Sequence, residues 1–240
     1  MTAAVLERRK MAIIVINPYQ YAGSSGDPYF SNVSILLHGD GTNGSTTFTD
    51  SSSNNHTLTV KGDAQISTAQ SKFGGSSMYF DGNGDYLTVS DSSLALGTGE
   101  YTIELWVYIL SATSLEAMAS CGTSAGGSWQ LRFGSSSVGG RQIDFRVGTV
   151  TRLSTTISFN TWHHLAVTRD SSNTGRMFLN GTIEDSSTFT NNHSQDALKI
   201  GVNRSVSSYF DGYIDDFRIT KGVARYTSNF TPPTAPFPDS

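Results

Sequence analysis

The sequence predicts one large antiparallel β-sandwich, and three observations carry that reading. Gly, Ser, Thr and Asn are abundant while Ala, Glu, Lys and Leu are comparatively sparse, the balance of strand-rich chains with many tight turns. From Ser34 onward, short apolar or alternating runs are broken by turn signals at close spacing. No long helical pattern intervenes, so roughly a dozen strands must pack as two sheets.

In chain order, residues 1–32 stand apart. Thr2 to Lys10 suits a short helix and Ala12 to Ile16 a strand, while Tyr19 to Phe30 mixes aromatics, Gly and Pro without a period. This is an N-terminal arm for attachment or oligomerisation, with either Met1 or Met11 as its start. The clearest strands follow: Ile35 to Leu37, Ser77 to Phe80, Tyr86 to Val89, Tyr101 to Ile109, Trp129 to Phe133 and Gln142 to Val147. Trp162 to Arg169, Arg176 to Leu179, Leu198 to Val202 and Gly212 to Thr220 complete the set. Asn180-Gly181 between two runs predicts a type I′ hairpin, whose central residues both need φ > 0. The Pro-rich tail 227–240 cannot join a sheet interior, because Pro lacks the amide donor. It should run over the surface, anchored by Phe230 and Phe237.

Tyr101 to Ile109 shows how the pattern sets burial. Tyr101, Ile103, Leu105, Val107 and Ile109 share one face, which period-two alternation places between the sheets. Thr102, Glu104, Trp106 and Tyr108 share the other. A one-residue slip would carry Glu104 into the core, so the register is fixed.

Sixteen Lys and Arg against twenty Asp and Glu leave a net charge of −4, which offers no electrostatic footprint for nucleic acid. The apolar stretch Met11 to Ile16 behind Arg8-Arg9-Lys10 is too short for a signal peptide, and no segment is long enough to span a bilayer. The lone Cys121 excludes an intramolecular disulfide framework and reads as a small buried hydrophobe.

Five segments carry a family resemblance. They are Ser77-Met78-Tyr79-Phe80-Asp81-Gly82 with Asp85-Tyr86-Leu87, Tyr101 to Val107, Thr161 to Arg169, Met177 to Gly181, and Phe210 to Ile219. In order, over about residues 35 to 225, they resemble concanavalin A-like, laminin G-like jelly rolls. A narrower likeness runs through Leu36-Leu37-His38-Gly39-Asp40-Gly41, Thr46 to Ser51, Ala64 to Thr68, Lys72 to Ser77 and the Arg225 to Pro238 ending. It is similar to the modules common in virion proteins of tailed bacteriophages, in tail fibres and capsid appendages. The resemblance implies an all-β, two-sheet antiparallel jelly roll over residues 33–226. It also implies one structural Ca2+ and glycan binding.

Calcium takes six to eight oxygen ligands, and the resemblance points to Asp40 and Asp215, with an Asx-turn for Asp40 and a paired Asp215 weighed equally. For a glycan, Trp129, Arg141 and Tyr209 are candidates because Gly/Ser-rich loops flank each, although an aromatic beside a strand is more often core. Adjacent strand residues point to opposite faces, so His163-His164 is not a zinc pair but one buried and one exposed histidine. Catalytic relatives carry alternating carboxylates, and a retaining glycosidase holds two about 5–5.5 Å apart. Here Thr102 stands between Glu100 and Glu104, and Glu116 lies beyond a turn; the chain is read as no enzyme. The expected function is a non-catalytic bacteriophage virion protein, an appendage or adhesin presenting a lectin-like jelly roll to host-surface glycans. It is made in the host cytoplasm and joined to other virion proteins by its arm, as a homo-oligomer for which a trimer is one arrangement. The alternatives are a capsid decoration protein with no glycan ligand, and then a glycan-active enzyme.

Overall fold

A computed structural model describes residues 26–112, 115–123, 126–134 and 142–240. Within them the strands are β1 (Val33–Leu37), β2 (Thr59–Lys61), β3 (Gln65–Ser67), β4 (Ser77–Asp81) and β5 (Tyr86–Ser90). Next come β6 (Tyr101–Ser111), β7 (Ala117–Cys121), β8 (Trp129–Phe133), β9 (Gln142–Val147) and β10 (Val150–Thr156). The chain ends with β11 (Trp162–Arg169), β12 (Thr174–Leu179), β13 (Thr182–Thr188), β14 (Ala197–Ile200) and β15 (Asp211–Lys221). They form two antiparallel sheets, one ordered β13-β12-β11-β6-β15-β4-β3 with β1 also on β15, the other β10-β9-β8-β7-β14-β5-β2. This is the predicted jelly-roll sandwich. The helix and strand expected within residues 2–16 lie outside the described residues.

Every strand named from Ile35 onward is present, β8, β9 and β11 with the predicted bounds. The Asn180-Gly181 turn joins β12 to β13 with Leu179 opposite Thr182, and both residues have positive φ, 50° and 81°, as that hairpin requires. The long strand β15 serves two partners in succession: Asp211 to Ile214 pair with β4 and Phe217 to Thr220 with β1. Between these halves a bulge places Asp216 at φ 48°, which re-aims the side chains there.

The core lies between the sheets. Tyr101, Ile103, Leu105, Val107 and Ile109 are all fully buried and belong to one apolar cluster, as the alternation predicts. From the opposite sheet, Leu87, Ile200, Ala119, Leu131, Phe145 and Leu153 form one inward row, each paired with the next across neighbouring strands. Cys121 sits in the same cluster, where burial pushes its thiol up to about 12.

Glu104 points away from the core, as the alternation predicts, and is fully buried, because both ends of the described chain cover the outer face of the eight-stranded sheet. Arg218 Nε and Nη2 donate to Glu104 Oε1 at 3.0 and 2.8 Å, and Tyr226 Oη donates to Oε2 at 2.8 Å. Asp27, from the segment read as the arm, accepts from Arg218 at 3.0 Å and from both terminal nitrogens of Arg225 at 3.0 and 2.5 Å. Burial alone would raise the Glu104 carboxyl. The charges of Arg218 and Arg225 and the contact with His164 outweigh it and hold the group below the usual carboxylate range. Phe237 lies with its ring centroid 3.7 Å from the Arg218 guanidinium and is buried with Val33 and Leu36. Phe230 stacks on Tyr226 at 3.6 Å. The tail therefore runs over the sheet, anchored by the two expected phenylalanines. Gly26 meets Ser240, so the chain enters the described body beside its last residue.

Candidate functional site

The outer face of the seven-stranded sheet has a different character. The alternation that turns Leu131, Phe145 and Ile200 inward turns their neighbours outward. One cross-strand row runs Thr88, Lys199, Ser120, Gln130, Arg146, Thr151. The next row runs Ala117, Arg132, Asp144, Ser154. Both rows are polar or small, so the sheet pairs a dry face with a face rich in hydrogen-bonding groups.

The 203–209 segment borders this face. Arg204 Nη1 donates to Ser128 Oγ at 2.9 Å and to the Gly148 carbonyl at 2.7 Å, and its amide donates to Gln130 Oε1 at 3.2 Å. Val202 bridges to Tyr209, and the Tyr209 ring lies 6.4 Å from that of Tyr86. Asp144 accepts from Gln142 Nε2 at 2.9 Å and Thr151 Oγ1 at 3.2 Å. Ser120, Gln130, Arg132, Asp144 and Lys199 are buried in this face, while Thr88, Arg146, Thr151, Ser154 and the half-buried Tyr86 and Tyr209 are accessible. Such hydroxyls, a guanidinium and aromatic rings can hydrogen-bond a polyhydroxylated ligand and stack against its rings.

Of the two predicted glycan residues among the described residues, Tyr209 lies on this surface, half-buried with its hydroxyl donating to the Val206 carbonyl at 3.3 Å. Trp129 is corrected: it is 1 % exposed and stacks on Phe145 at 6.2 Å inside the sandwich, because it shares the inward parity of Leu131 and Phe133. Arg141 lies outside the described residues. The outward residues of the same two strands, Gln130, Arg132, Asp144 and Arg146, were legible in the alternation Trp-Gln-Leu-Arg-Phe and Gln-Ile-Asp-Phe-Arg-Val.

Asp40 and Asp215 are brought to one place. β1 pairs with β15, and both carboxylates meet the 72–74 turn. Asp215 Oδ2 accepts the amides of Lys72 and Phe73 at 2.7 and 3.0 Å, while Asp40 lies where a Cβ on Gly74 would stand. Gly74 has φ +61° and keeps the cradle open. Burial above all, with the charges of Asp216 and Asp40, pushes the Asp215 carboxyl up to about 7. Calcium needs six to eight oxygen ligands, and here two carboxylates stand near one turn while Asp215 Oδ2 is already taken by two amides. Among the described residues no group of three or more His, Cys, Asp or Glu side chains is arranged for a metal. A recess of about 260 Å³ opens alongside, lined by His38, Asp40, Phe48, Ile66 and Asp239.

The remaining candidates are structural in their contacts. Both adjacent histidines are buried, which corrects the expectation that one is exposed. His163 Nε2 is 2.8 Å from Ser158 Oγ and its Nδ1 3.0 Å from Asn180 Nδ2; His164 Nε2 lies 3.4 Å from Glu104. Glu104 is committed to Arg218, on the face opposite the polar rows.

Comparison with known proteins agrees with this architecture. The family model described as the concanavalin A-like lectin/glucanases superfamily, of the laminin G-like type, matches residues 81–225, more than half of the chain. No curated protein matches the sequence. Among solved structures, the chain is similar to domain 4 of AbnA, a GH43 extracellular arabinanase from Geobacillus stearothermophilus, in complex with arabinotriose. The TM-score is 0.61 at 18 % identity, over 80 % of this chain and 93 % of that one. It is similar to the botulinum neurotoxin type G receptor binding domain at TM-score 0.59 and 16 % identity, over 83 % of this chain and 49 % of that one. The binding domain of Paraclostridial mosquitocidal protein 1 gives TM-score 0.61 and 16 % identity, over 82 % and 51 %. The chain thus spans about half the length of these toxin domains, and at such identities the likeness is one of fold.

Proposed function

Because the chain belongs to the concanavalin A-like lectin/glucanases superfamily, we propose that it is a non-catalytic glycan-binding domain whose ligand docks on the outer face of the seven-stranded sheet. The observation that carries this is the contrast between the two outer faces. One is sealed by the terminal segments over a buried ion-pair network. The other carries two polar cross-strand rows beside Tyr86 and Tyr209, in which Gln130, Arg132 and Asp144 are buried and Thr88, Arg146, Thr151 and Ser154 stay accessible. The arabinotriose complex of AbnA domain 4 supports the reading that this fold can serve as a saccharide-binding module. The committed ion pair of Glu104 and the neutral Thr102 support a non-catalytic role, since glycoside hydrolysis needs a free carboxyl pair.

The wider role we assign is that of a bacteriophage virion appendage or adhesin, on the strength of the Leu36 to Gly41 and Lys72 to Ser77 likenesses. Residues 1–25 would join the particle or a trimer, entering on the sealed face and leaving the polar face outward. A calcium ion at Asp40 and Asp215 would hold the 72–74 turn. A glycan array that includes host envelope polysaccharide tests the first reading: saturable binding weakened by Thr151→Ala is expected, and no saturable signal returns the protein to a decoration role. Removing residues 1–25, and no further because Asp27 anchors Arg225, should yield a folded domain that no longer enters particles. Incorporation of that truncated chain would sink the attachment reading.

A further inference from the structure

The polar face carries an excess of positive charge although the whole chain is acidic. Arg132 on β8, Arg146 on β9 and Arg204 beside them act on one another electrostatically, with Asp144 the opposing charge. Both Asp144 oxygens are engaged by Gln142 and Thr151, and Lys199 adds a further cation two strands away, its Nζ donating to the Gly122 carbonyl at 3.3 Å.

Arg132 is the exception among the buried arginines. Arg218 and Arg225 donate to Glu104 and Asp27, and Arg169 donates to the carbonyls of Gly97, Gly99 and Asn191. Arg132 is 6 % exposed, and its Nε is buried without a hydrogen-bond partner among the described residues, as is the Nε of Arg146. A guanidinium N–H withdrawn from water without a partner is costly. Burial and the nearby Arg146 and Arg204 both disfavour its charged form. An oxyanion would relieve this arrangement by accepting from the planar forks, which match carboxylate geometry.

We propose that Arg132, Arg146 and Arg204 receive the carboxylate of an acidic saccharide, whose hydroxyls are met by Thr151. This rests on the glycan-binding reading above and names the ligand class of the same face. An anionic group is favoured by two converging guanidinia whose Nε atoms are buried without partners among the described residues, although Arg146 Nη2 already donates to the Thr149 carbonyl. A saccharide is favoured by the hydroxyl groups of the row that flanks them.

The test uses the full chain, a uronate-containing polysaccharide, its carboxyl-reduced counterpart and inorganic phosphate, with affinities from titration calorimetry. The uronate polymer should bind at least tenfold tighter than the reduced one, and weaken as salt rises. Arg132→Gln and Arg146→Gln should each cost tenfold or more, whereas Arg176→Gln, on the other sheet and paired with Asp170, should cost nothing. Thermal unfolding separates lost binding from lost folding, and Arg146→Gln carries the test should Arg132→Gln fail to fold. Equal affinity for the reduced polymer overturns the anionic inference and leaves the glycan reading standing. Binding of phosphate with no saccharide bound overturns the saccharide assignment. No saturable binding to any glycan overturns both.

Discussion

Arg218 and Glu104 are locked together on the sandwich's outer face, two guanidinium nitrogens donating to a single carboxylate oxygen at 3.0 and 2.8 Å with both side chains buried. Removing one partner leaves its counterpart charged in a dry site, which typically costs about 3–5 kcal/mol. Glu104→Gln should therefore destabilise the domain by roughly that amount in urea unfolding. The double variant Glu104→Leu with Arg218→Leu should cost less than the two single changes together, since the pair no longer leaves an orphan. Strict additivity would show that the pair is not coupled.

This pair also marks where sequence reading stops. Period-two alternation made the core of β6 legible to the residue, and the Asn180-Gly181 turn came from the φ demands of a two-residue loop. Both are local properties. The fate of Glu104 depended on Asp27, Arg225, Tyr226 and Phe237, which lie far away in the chain, so parity could say which way it pointed but not what covered it. Trp129 failed for the opposite reason: the flanking glycines and serines drew attention to a loop surface, while its own parity with Leu131 and Phe133 placed it in the core. The weak strands were the least visible. β13, Thr-Ile-Glu-Asp-Ser-Ser-Thr, is a polar edge strand, and β7 is built from Ala, Met and Ser with little β-preference.

The C-terminal tail should contribute stability, not merely trail. Phe237 is 2 % exposed, lies over Arg218, and its amide donates to Asp216 Oδ2 at 2.8 Å. Phe237→Ala should lower unfolding free energy by about 3 kcal/mol, the scale for deleting a buried phenyl ring. Circular dichroism melts of this variant should show an earlier transition with an unchanged folded spectrum. An unaltered melting temperature would mean that the tail is dispensable.

Acid should weaken the fold through His193. It is fully buried against Tyr101 and Phe189, and burial, aided by the charge of Arg169, pushes its pKa down to about 3. In the unfolded chain the imidazole takes up its proton near pH ~6.5. Between these values the unfolded state binds more protons, so stability rises with pH across that window. This contribution is complete above about pH 6.5 and declines towards pH 3 by at most about 1.4 kcal/mol per unit. His193→Phe keeps a ring in the pocket and should flatten that part of the profile. Denaturation at pH 7, 5.5 and 4 compares the two, and parallel profiles would remove His193 from the account.

Calcium should stabilise the domain through the 72–74 turn. Asp215 holds that turn by its amides, and Asp40 reaches it across Gly74, so an ion binding both carboxylates would tie β15, the end of β1 and the turn together. A ligand that binds only the folded state adds about 2.7 kcal/mol at a free concentration roughly one hundred times its Kd. Millimolar Ca2+ should accordingly raise the melting temperature, and a chelator should reverse the shift. Asp215→Asn should abolish the response, whereas Arg132→Gln, on the opposite sheet, should leave it intact. Placing a methyl at Gly74 offers an independent check: Gly74→Ala fills the space that Asp40 occupies and should weaken the response without touching either carboxylate. If Ca2+ shifts the melt of Asp215→Asn as much as that of the parent chain, the ion sits elsewhere and the paired aspartates serve the turn alone.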